Sequence, residues 1–399
     1  MPRWFATLLL IASPLTATPA LADERAFDAA LGEFRQLHRA GMQRAGIAGS
    51  SFYFVRDGRT VAADHLGLQD ADAQVPVDAA TIYHWASITK TITGIAIMQL
   101  RDRGLLSLDD PITRYVPELA RVHNRFGDTN AITIRQLMSH SAGFRGGTWP
   151  WRDQEWQPFE PPGWAQLEAM LPYTEVQFRP GSRFSYSNPG IVYLGQVIER
   201  LTGEDFEVYV DKNILRPLGM HASYFDRTPP HLLRHRSHSY YLRDGRRVAA
   251  PFDTDTGVTV SNGGLNAPMT DMARYLAFLI GDPARVADHD LVLRRSSLEE
   301  MWRPVIAAGE DFTQGRMART TQSALSFFVD AEGPVRFVGH NGDQSGFRAY
   351  LSLCPDQRAG SLLAFNTETR GVRNHVSNRD MPESRIALAA DRLCEALAR

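Results

Sequence analysis

Lysine is scarce in this sequence. Only Lys90 and Lys212 among its 43 basic residues are lysines, so a Ser-x-x-Lys match is expected by chance roughly 0.1 times in the whole chain. The formal net charge of -2 gives no indication of a nucleic-acid partner. No internal repeat or low-complexity tract is present, which argues against a repeat architecture.

The chain has 399 residues, of which 43% are hydrophobic. It can therefore bury a large core and form one large domain or two closely joined ones. The first 22 residues have the pattern of a secretory signal peptide, with basic Arg3, an apolar stretch over 4–15 and an A-x-A site at 20–22. We expect cleavage near Ala22 and export to the periplasm or the medium. The segment is too short to remain as a membrane anchor.

Two cysteines are present, Cys354 and Cys394. An oxidising compartment would permit a disulfide between them. Two separate buried thiols fit the sequence equally well, and both alternatives stay open at this point.

The hydrophobic pattern predicts strands near both ends of the chain. An Asp57-Gly58 turn joins two predicted strands, and three more are predicted within 335–365. Helical spacing predicts helices over 24–45, 188–201 and 384–397, among others. This order favours an α/β fold, with a layer built from about 23–80 and 250–399 and a helical part inserted over about 81–249.

Ser87 and Lys90 lie three residues apart in a segment that reads as a buried helix starting near the serine. Side chains at this spacing share one helical face. Burial and the positive helix N-terminus disfavour a charge on Lys90, so that a neutral amine would take the proton of Ser87. The serine N–H would donate into an oxyanion hole. The alternative is a capping serine beside a surface lysine, but Ile88 and Ile92 flank this lysine.

A second group, Tyr186 and Asn188, stands on a turn before a predicted helix. A phenol near a lysine can relay a proton between a nucleophile and a leaving group. A side-chain amide can hold both an amine and a substrate amide. When this segment is taken alone, the alternative of a core tyrosine with a helix-capping asparagine explains it better.

A third group, His340, Gly342 and Asp343, follows a predicted strand. Glycine there lets a substrate approach the strand edge, and the backbone N–H of Asp343 would be a second oxyanion donor. His340 would face the site as a cation or a hydrogen-bond donor. The alternative is a structural histidine.

In order and spacing, the three groups resemble the serine β-lactamase and penicillin-binding-protein superfamily, and Tyr-x-Asn resembles its class C β-lactamase-like branch. That branch contains esterases, D-aminopeptidases and D,D-peptidases. The resemblance implies that Ser87 is the acylated nucleophile, Lys90 its base and Tyr186 the proton relay, with Asn188, His340 and Gly342 contacting substrate. It also implies an α+β fold, in which an antiparallel sheet is flanked by helices and 23–399 form one catalytic domain.

The third group departs from the superfamily pattern, because His-Asn-Gly stands where β-lactamases have Lys-Thr-Gly. A histidine is only partly charged near neutral pH, and Asp343 adds a negative charge where an anionic substrate would lie, although Arg348 is close in sequence. Efficient β-lactam hydrolysis is therefore not expected. A neutral or amine-bearing ester or amide fits better.

Three further features of the sequence give weaker signals. The histidine run His231, His235 and His238 has a spacing that could bind zinc, but arginines crowd it and no acidic residue lies within it, so no metal or cofactor is predicted. His140 is expected to be structural. The tryptophan-rich segment 149–164 either walls a substrate pocket or pins a loop to the surface.

The leading hypothesis is a secreted serine hydrolase that cleaves a small ester or amide through an acyl-enzyme on Ser87. The alternatives are a D,D-peptidase or D-aminopeptidase acting on peptidoglycan-derived peptides, or a β-lactamase. A non-catalytic ligand-binding relative and a metallohydrolase using the histidine run come last. The sequence leaves the oligomeric state open.

Overall fold

The computed structural model describes residues 19–149, 161–308, 321–331, 333–369 and 381–398. Most of the predicted signal peptide, 1–22, and residues 150–160 of the tryptophan-rich segment lie outside this part of the chain. Within it, no helix has both the length and the apolar character needed to cross a membrane.

The described residues form one large antiparallel sheet and two smaller sheets beside it. In chain order the strands are β1 (Gly49–Arg56), β2 (Arg59–Asp70), β3 (Val75–Pro76), β4 (Ile82–His84), β5 (Tyr224–Phe225), β6 (Tyr240–Arg243), β7 (Arg246–Ala249), β8 (Leu265–Pro268), β9 (Ile306–Ala307), β10 (Gln322–Ser323), β11 (Phe328–Asp330), β12 (Phe337–Gln344), β13 (Phe347–Cys354), β14 (Ala359–Phe365) and β15 (Thr367–Glu368).

Most helices lie in the middle of the chain, and α1 and α11 lie near its two ends. They are α1 (Pro19–Ala45), α2 (Thr89–Asp102), α3 (Ile134–Met138), α4 (Trp164–Ala169), α5 (Asn188–Thr202), α6 (Phe206–Val210), α7 (Val260–Gly263), α8 (Met269–Ile280), α9 (Val286–Val292), α10 (Arg295–Met301) and α11 (Pro382–Leu397).

The largest sheet has the strand order β3-β2-β1-β14-β13-β12-β11-β10-β9, and all its neighbouring strands are antiparallel. Strands from the two ends of the chain meet where β1 pairs with β14. This arrangement confirms the predicted fold class of an antiparallel sheet with flanking helices.

The central strands β1, β13 and β14 are buried on both faces of the sheet. Successive residues of β14 point to opposite sides, so Leu363 packs beneath α1 and α11 while Leu362 joins the larger core on the other side. Helix α8 covers that second face across β1, β13 and β14. The site described below lies where the second face meets the helices from the middle of the chain.

Local sequence signals account for several element ends. Asp57 and Gly58 both have positive φ, as a tight hairpin turn requires. Thr133 and Gln136 form a capping box at the start of α3. Gly203 ends α5 in the left-handed conformation.

The structure decides between the two alternatives for the cysteines. Cys354, at the end of β13, forms a disulfide with Cys394 of α11. The bond ties the C-terminal helix to the central sheet.

Candidate active site

Ser87 lies in a short 3-10 turn, Ala86–Ile88, immediately before α2. Ala86 has a φ of 47°, a left-handed conformation that costs a non-glycine residue energy. The buried Trp85 anchors the turn, since its indole Nε1 donates to the carbonyl of Ala267 at 2.9 Å. Ser87 is partly exposed, whereas the residues on either side are buried, so the turn presents the hydroxyl at a surface.

Lys90 lies one helical turn beyond the serine and is fully buried. Its Nζ lies 2.9 Å from Ser87 Oγ and donates to the backbone carbonyl of Asn262 at 2.8 Å. Burial disfavours the charged form of an amine. The structure therefore brings these two residues together as the spacing predicts.

Tyr186 is the third side chain of this group. The Nζ atom is 5.0 Å from the centre of the Tyr186 ring, and the phenol forms a hydrogen bond with Ser87. Burial raises the pKa of Tyr186, the hydrogen bond with Ser87 opposes this rise, and the charge of Asp343 adds to it. The phenol is consequently protonated at neutral pH and can donate a proton.

His140 positions the segment that carries Tyr186. Its backbone carbonyl accepts from the N–H of Ser185 at 2.8 Å, and its Nδ1 accepts from the N–H of Ser187 at 3.1 Å. Its ring packs on the Tyr186 ring with 4.3 Å between their centres. His140 thus brackets the tyrosine on both sides, which agrees with the structural role expected for it.

Asn188 begins α5, behind the capping residue Ser187. Its backbone N–H donates to the carbonyl of Gly146 at 3.1 Å. The side-chain Oδ1 is buried and has no hydrogen-bond partner among the described residues. The helix cap is therefore Ser187 and not Asn188, which leaves the Asn188 amide available for another contact.

The third group lies on β12, directly against the serine turn. A Cβ atom on Gly342 would come within 2.1 Å of the Trp85 carbonyl oxygen, so only glycine fits there. β11 pairs with β12 from Phe337 to Gly339 and no further. The turn that carries Ser87 packs against the continuation of β12.

His340 faces the same side of β12 as Gly342, with its ring centre 6.2 Å from that of Tyr186. Its Nδ1 donates to the carbonyl of Asn341 at 2.7 Å. Burial lowers the pKa of His340 to about 3, a protonated Lys90 would add to this effect, and the hydrogen bond to the Asn341 carbonyl opposes it. Contrary to the expected partial charge, His340 is neutral near pH 7 because it is buried.

Asp343 points its carboxylate at Arg348. The two form an ion pair at 2.6 Å, and the Arg348 side chain is almost fully buried. The negative charge expected from the sequence is therefore neutralised locally. The backbone of β12 just after Gly342 is held in place by the same pair.

Three contributors to the site have no side-chain signature in the sequence. Asn262 acts through its backbone carbonyl, Ala86 through its conformation, and Trp85 through the anchoring of a turn. The nearest sequence feature that could have drawn attention to Asn262 is the Gly263-Gly264 pair directly after it. In the described part of the chain, no group of three or more His, Cys, Asp or Glu side chains is placed to hold a metal ion.

The fold and this site define a class of protein. The chain matches the Beta-lactamase family over residues 34–383, and it belongs to that family, whose members are serine hydrolases.

Individual relatives are distant. Protein flp of Staphylococcus aureus (strain COL) is 22% identical over 355 residues, which cover 88% of this chain and 67% of that protein. A penicillin-binding protein homologue from Pyrococcus abyssi is 26% identical, with a TM-score of 0.75 over 92% of this chain and 77% of the other. A D-alanine carboxypeptidase from Burkholderia cenocepacia is 19% identical, with a TM-score of 0.69 over 92% of this chain and 99% of the other.

Proposed function

We propose that the protein cleaves a small ester or amide through an acyl-enzyme on Ser87. One observation carries this proposal: a fully buried lysine amine lies 2.9 Å from the hydroxyl of a partly exposed serine. A neutral Lys90 would take the serine proton as Oγ bonds to the substrate carbonyl carbon. Tyr186, protonated and in contact with Ser87, would give a proton to the leaving oxygen or nitrogen as its bond to that carbon breaks.

The strand register supports a second oxyanion donor. Gln344 and Phe347 close a two-residue turn, so they form the hydrogen-bonded pair at the end of the hairpin. Pairs alternate along an antiparallel ladder, which directs the N–H of Asp343 away from β13 and toward the serine turn. Together with the N–H of Ser87, it would stabilise the negative charge that develops on the carbonyl oxygen.

The charges of His340 and Asp343 on β12 support a substrate that is uncharged at its reacting centre. His340 is neutral and Asp343 is paired with Arg348, so β12 supplies no cation at the position where β-lactamases carry lysine. A neutral ester or amide fits this surface better than a β-lactam carboxylate. We further propose that the enzyme acts after export, as the predicted signal peptide implies.

The proposal is tested by covalent labelling. A fluorophosphonate probe should add one adduct to the wild-type protein and none to Ser87→Ala, as measured by intact mass. Ser296→Ala, which removes an exposed serine on α10, should be labelled like the wild type. Equal labelling or turnover by the folded Ser87→Ala protein would refute the proposal.

Substrate classes are separated by a panel. Burst kinetics with p-nitrophenyl esters, release of D-alanine from a muropeptide, and hydrolysis of a chromogenic cephalosporin report the three hydrolase alternatives. We expect the ester to give the highest kcat/KM. If no acyl substrate or probe reacts with Ser87, the non-catalytic relative becomes the better interpretation.

A further inference from the structure

A small recess lies beside the site, at the turn between β12 and β13. Its inner part has room for about one water molecule, and it opens to solvent. Its walls combine one guanidinium, one carboxylate, several hydroxyl groups and three aromatic rings, one of which is the imidazole of His84. The residues that matter here are Arg236, Ser239, Phe252, Thr254, Ser345 and Phe347.

Arg236 is the charged group of this recess. Its side chain is buried, with 8% of the residue exposed, and its Nε and Nη1 have no hydrogen-bond partner among the described residues. It also forms no ion pair with any residue in this part of the chain. Burial lowers the pKa of Arg236, and the nearby charge of Asp253 opposes this effect. Buried N–H groups without an acceptor still carry a large desolvation cost, so those on Nε and Nη1 indicate a hydrogen-bond acceptor that the described residues do not supply.

The contacts of the Arg236 guanidinium determine which class of ligand fits the recess. The Arg236 guanidinium lies over the Phe347 ring, with 4.8 Å from Cζ to the ring centre, so the partner must approach in the plane of its N–H groups. A carboxylate matches that planar set of donors with two parallel hydrogen bonds.

One acidic residue limits the charge of the partner. Asp253 also lines the recess, and its Oδ1 accepts hydrogen bonds from the backbone N–H and the hydroxyl of Thr228 at 2.8 and 2.5 Å. A fixed carboxylate nearby opposes a doubly charged anion. A group with a single negative charge is therefore favoured over a phosphate dianion.

The recess is connected to the reacting centre through one face of the sheet. Phe347 pairs with Gln344, which stands two residues beyond Gly342 on the same face of β12, roughly 7 Å further along. His84, three residues before Ser87, lies 3.2 Å from the Gln344 amide and contacts the Phe347 ring. β12 has no cation where β-lactamases have lysine, but Arg236 supplies a positive charge in the adjoining recess, further from Ser87.

We propose that the recess around Arg236 is a binding site for a single carboxylate group. The carboxylate is either the distal group of the substrate that Ser87 cleaves, which rests on the proposed function, or a separate small acid. The chemistry is the same in both cases, with paired N–H donors from Arg236 in a recess that Ser239 and Thr254 also line.

Binding is measured first, without catalysis. The full-length protein is titrated with acetate and with glutarate at constant ionic strength, with sodium chloride as the balancing salt. We expect a saturable rise in Tm of about 2 °C or more in the wild type. The rise should be absent in Arg236→Gln and partly kept in Arg236→Lys, while Arg246→Gln, an exposed arginine on β7, should respond like the wild type.

A second variant covers the case in which Arg236→Gln does not fold. Thr254→Glu places a fixed carboxylate on the wall of the recess, and we expect it to remove the response to added acetate. This readout needs no substrate, so it stays informative even if no ester is turned over and the proposed function fails.

The source of the carboxylate is identified by kinetics. A p-nitrophenyl glutarate half-ester is compared with its uncharged methyl ester. If the carboxylate belongs to the substrate, the ratio of the two kcat/KM values should fall on the order of 10-fold or more in Arg236→Gln. Acetate binding without any preference for the acidic ester would assign the site to a separate ligand.

Two results would overturn the site itself. One is the absence of any saturable response to either acid in the folded wild-type protein. The other is an equal response in the wild type and in folded Arg236→Gln and Thr254→Glu.

Discussion

Lys90 has two neighbouring oxygens, and they assign different tasks to its amine. The Asn262 carbonyl can only accept a hydrogen bond, so it takes one N–H of the amine at 2.8 Å. A neutral amine keeps a lone pair, and Ser87 Oγ lies 2.9 Å away on the side of the reacting centre. The backbone carbonyl thereby orients the lone pair toward the hydroxyl proton that must be removed.

Tyr186 should be the most sensitive position after Ser87 and Lys90. Replacing it by phenylalanine removes the hydroxyl that contacts Ser87 and leaves the ring packed on His140. Because a positioned acid-base group contributes about 10²- to 10⁴-fold, we expect Tyr186→Phe to lower kcat/KM by that amount. The measurement is steady-state hydrolysis of the best ester of the panel.

A matched control is available in the same core. Tyr193 is fully buried, and its hydroxyl has no hydrogen-bond partner among the described residues. Tyr193→Phe should therefore change kcat/KM less than threefold, with little change in Tm. A Tyr186→Phe enzyme that matches it would remove Tyr186 from the proposed proton relay.

Individual site residues could be predicted from the sequence where a rare side chain carries the chemistry. A single buried lysine behind a serine stood out because the chain has only two lysines. Asn262 and Arg236 were not predicted, for two different reasons. A backbone carbonyl has no sequence signature, and an arginine whose importance comes from missing partners looks like any other arginine in the chain.

The turn Ala86–Ile88 and strand β12 behave as one packed unit. Gly342 brings the strand backbone against the Trp85 carbonyl, while the strained Ala86 lies next to it. The nucleophile and the proposed oxyanion donor thus stand on two elements, and their separation depends on this single close approach.

Gly342→Ala should therefore impair catalysis by moving the turn. Its Cβ would lie 2.1 Å from the Trp85 oxygen, so the two elements must separate by about an ångström. A misplacement of that size costs on the order of 10²-fold in rate. The measurement is kcat per labelled active site, with Tm recorded in parallel.

Gly339→Ala is the control on the same strand. Its Cβ would lie 2.1 Å from the Leu351 oxygen, so it is equally crowded, but it faces β13 and not the serine turn. We expect a similar loss of Tm with far less loss of kcat per folded molecule. An equal loss of kcat in both variants would mean that strand integrity, and not the Gly342 contact, governs the rate.

Element types were predictable because they rest on local signals. The Asp57-Gly58 hairpin, the Thr133 cap and the amphipathic spacing in α1, α5 and α11 all act within a few residues. The contact between Gly342 and Trp85 joins positions 257 residues apart, and no local pattern encodes it. The resemblance of three short motifs supplied what periodicity could not.

At the scale of the whole molecule, the protein buries several histidine side chains. Burial lowers the pKa of His38 and of His84 to about 4, and that of His340 to about 3. The unfolded chain binds protons at these positions near pH 6.5. Between roughly pH 4 and 6.5 the unfolded state therefore holds more protons than the folded state, and these histidines destabilise the fold as the pH falls.

Some carboxyl groups act in the opposite direction. Burial raises the pKa of Asp226 to about 6, so this group costs stability as the pH rises above its unfolded value. The net profile of the wild type combines both effects. A single substitution isolates one histidine, because the carboxyl contribution is common to the wild type and the variant and cancels in the difference.

His38→Gln is suited to that comparison. His38 lies on the buried face of α1, far from Ser87 in the sequence, and its Nε2 lies 2.9 Å from Ser50 Oγ, a contact that glutamine can keep. We expect the free energy of unfolding of His38→Gln to gain about 1–2 kcal/mol relative to the wild type when the pH falls from 7.5 to 5. Urea denaturation at the two pH values gives both differences. A variant that tracks the wild type at pH 5 would show that His38 is protonated in the folded state, which contradicts the burial argument. It would also undermine the neutral His340 on which the preference for an uncharged reacting centre depends.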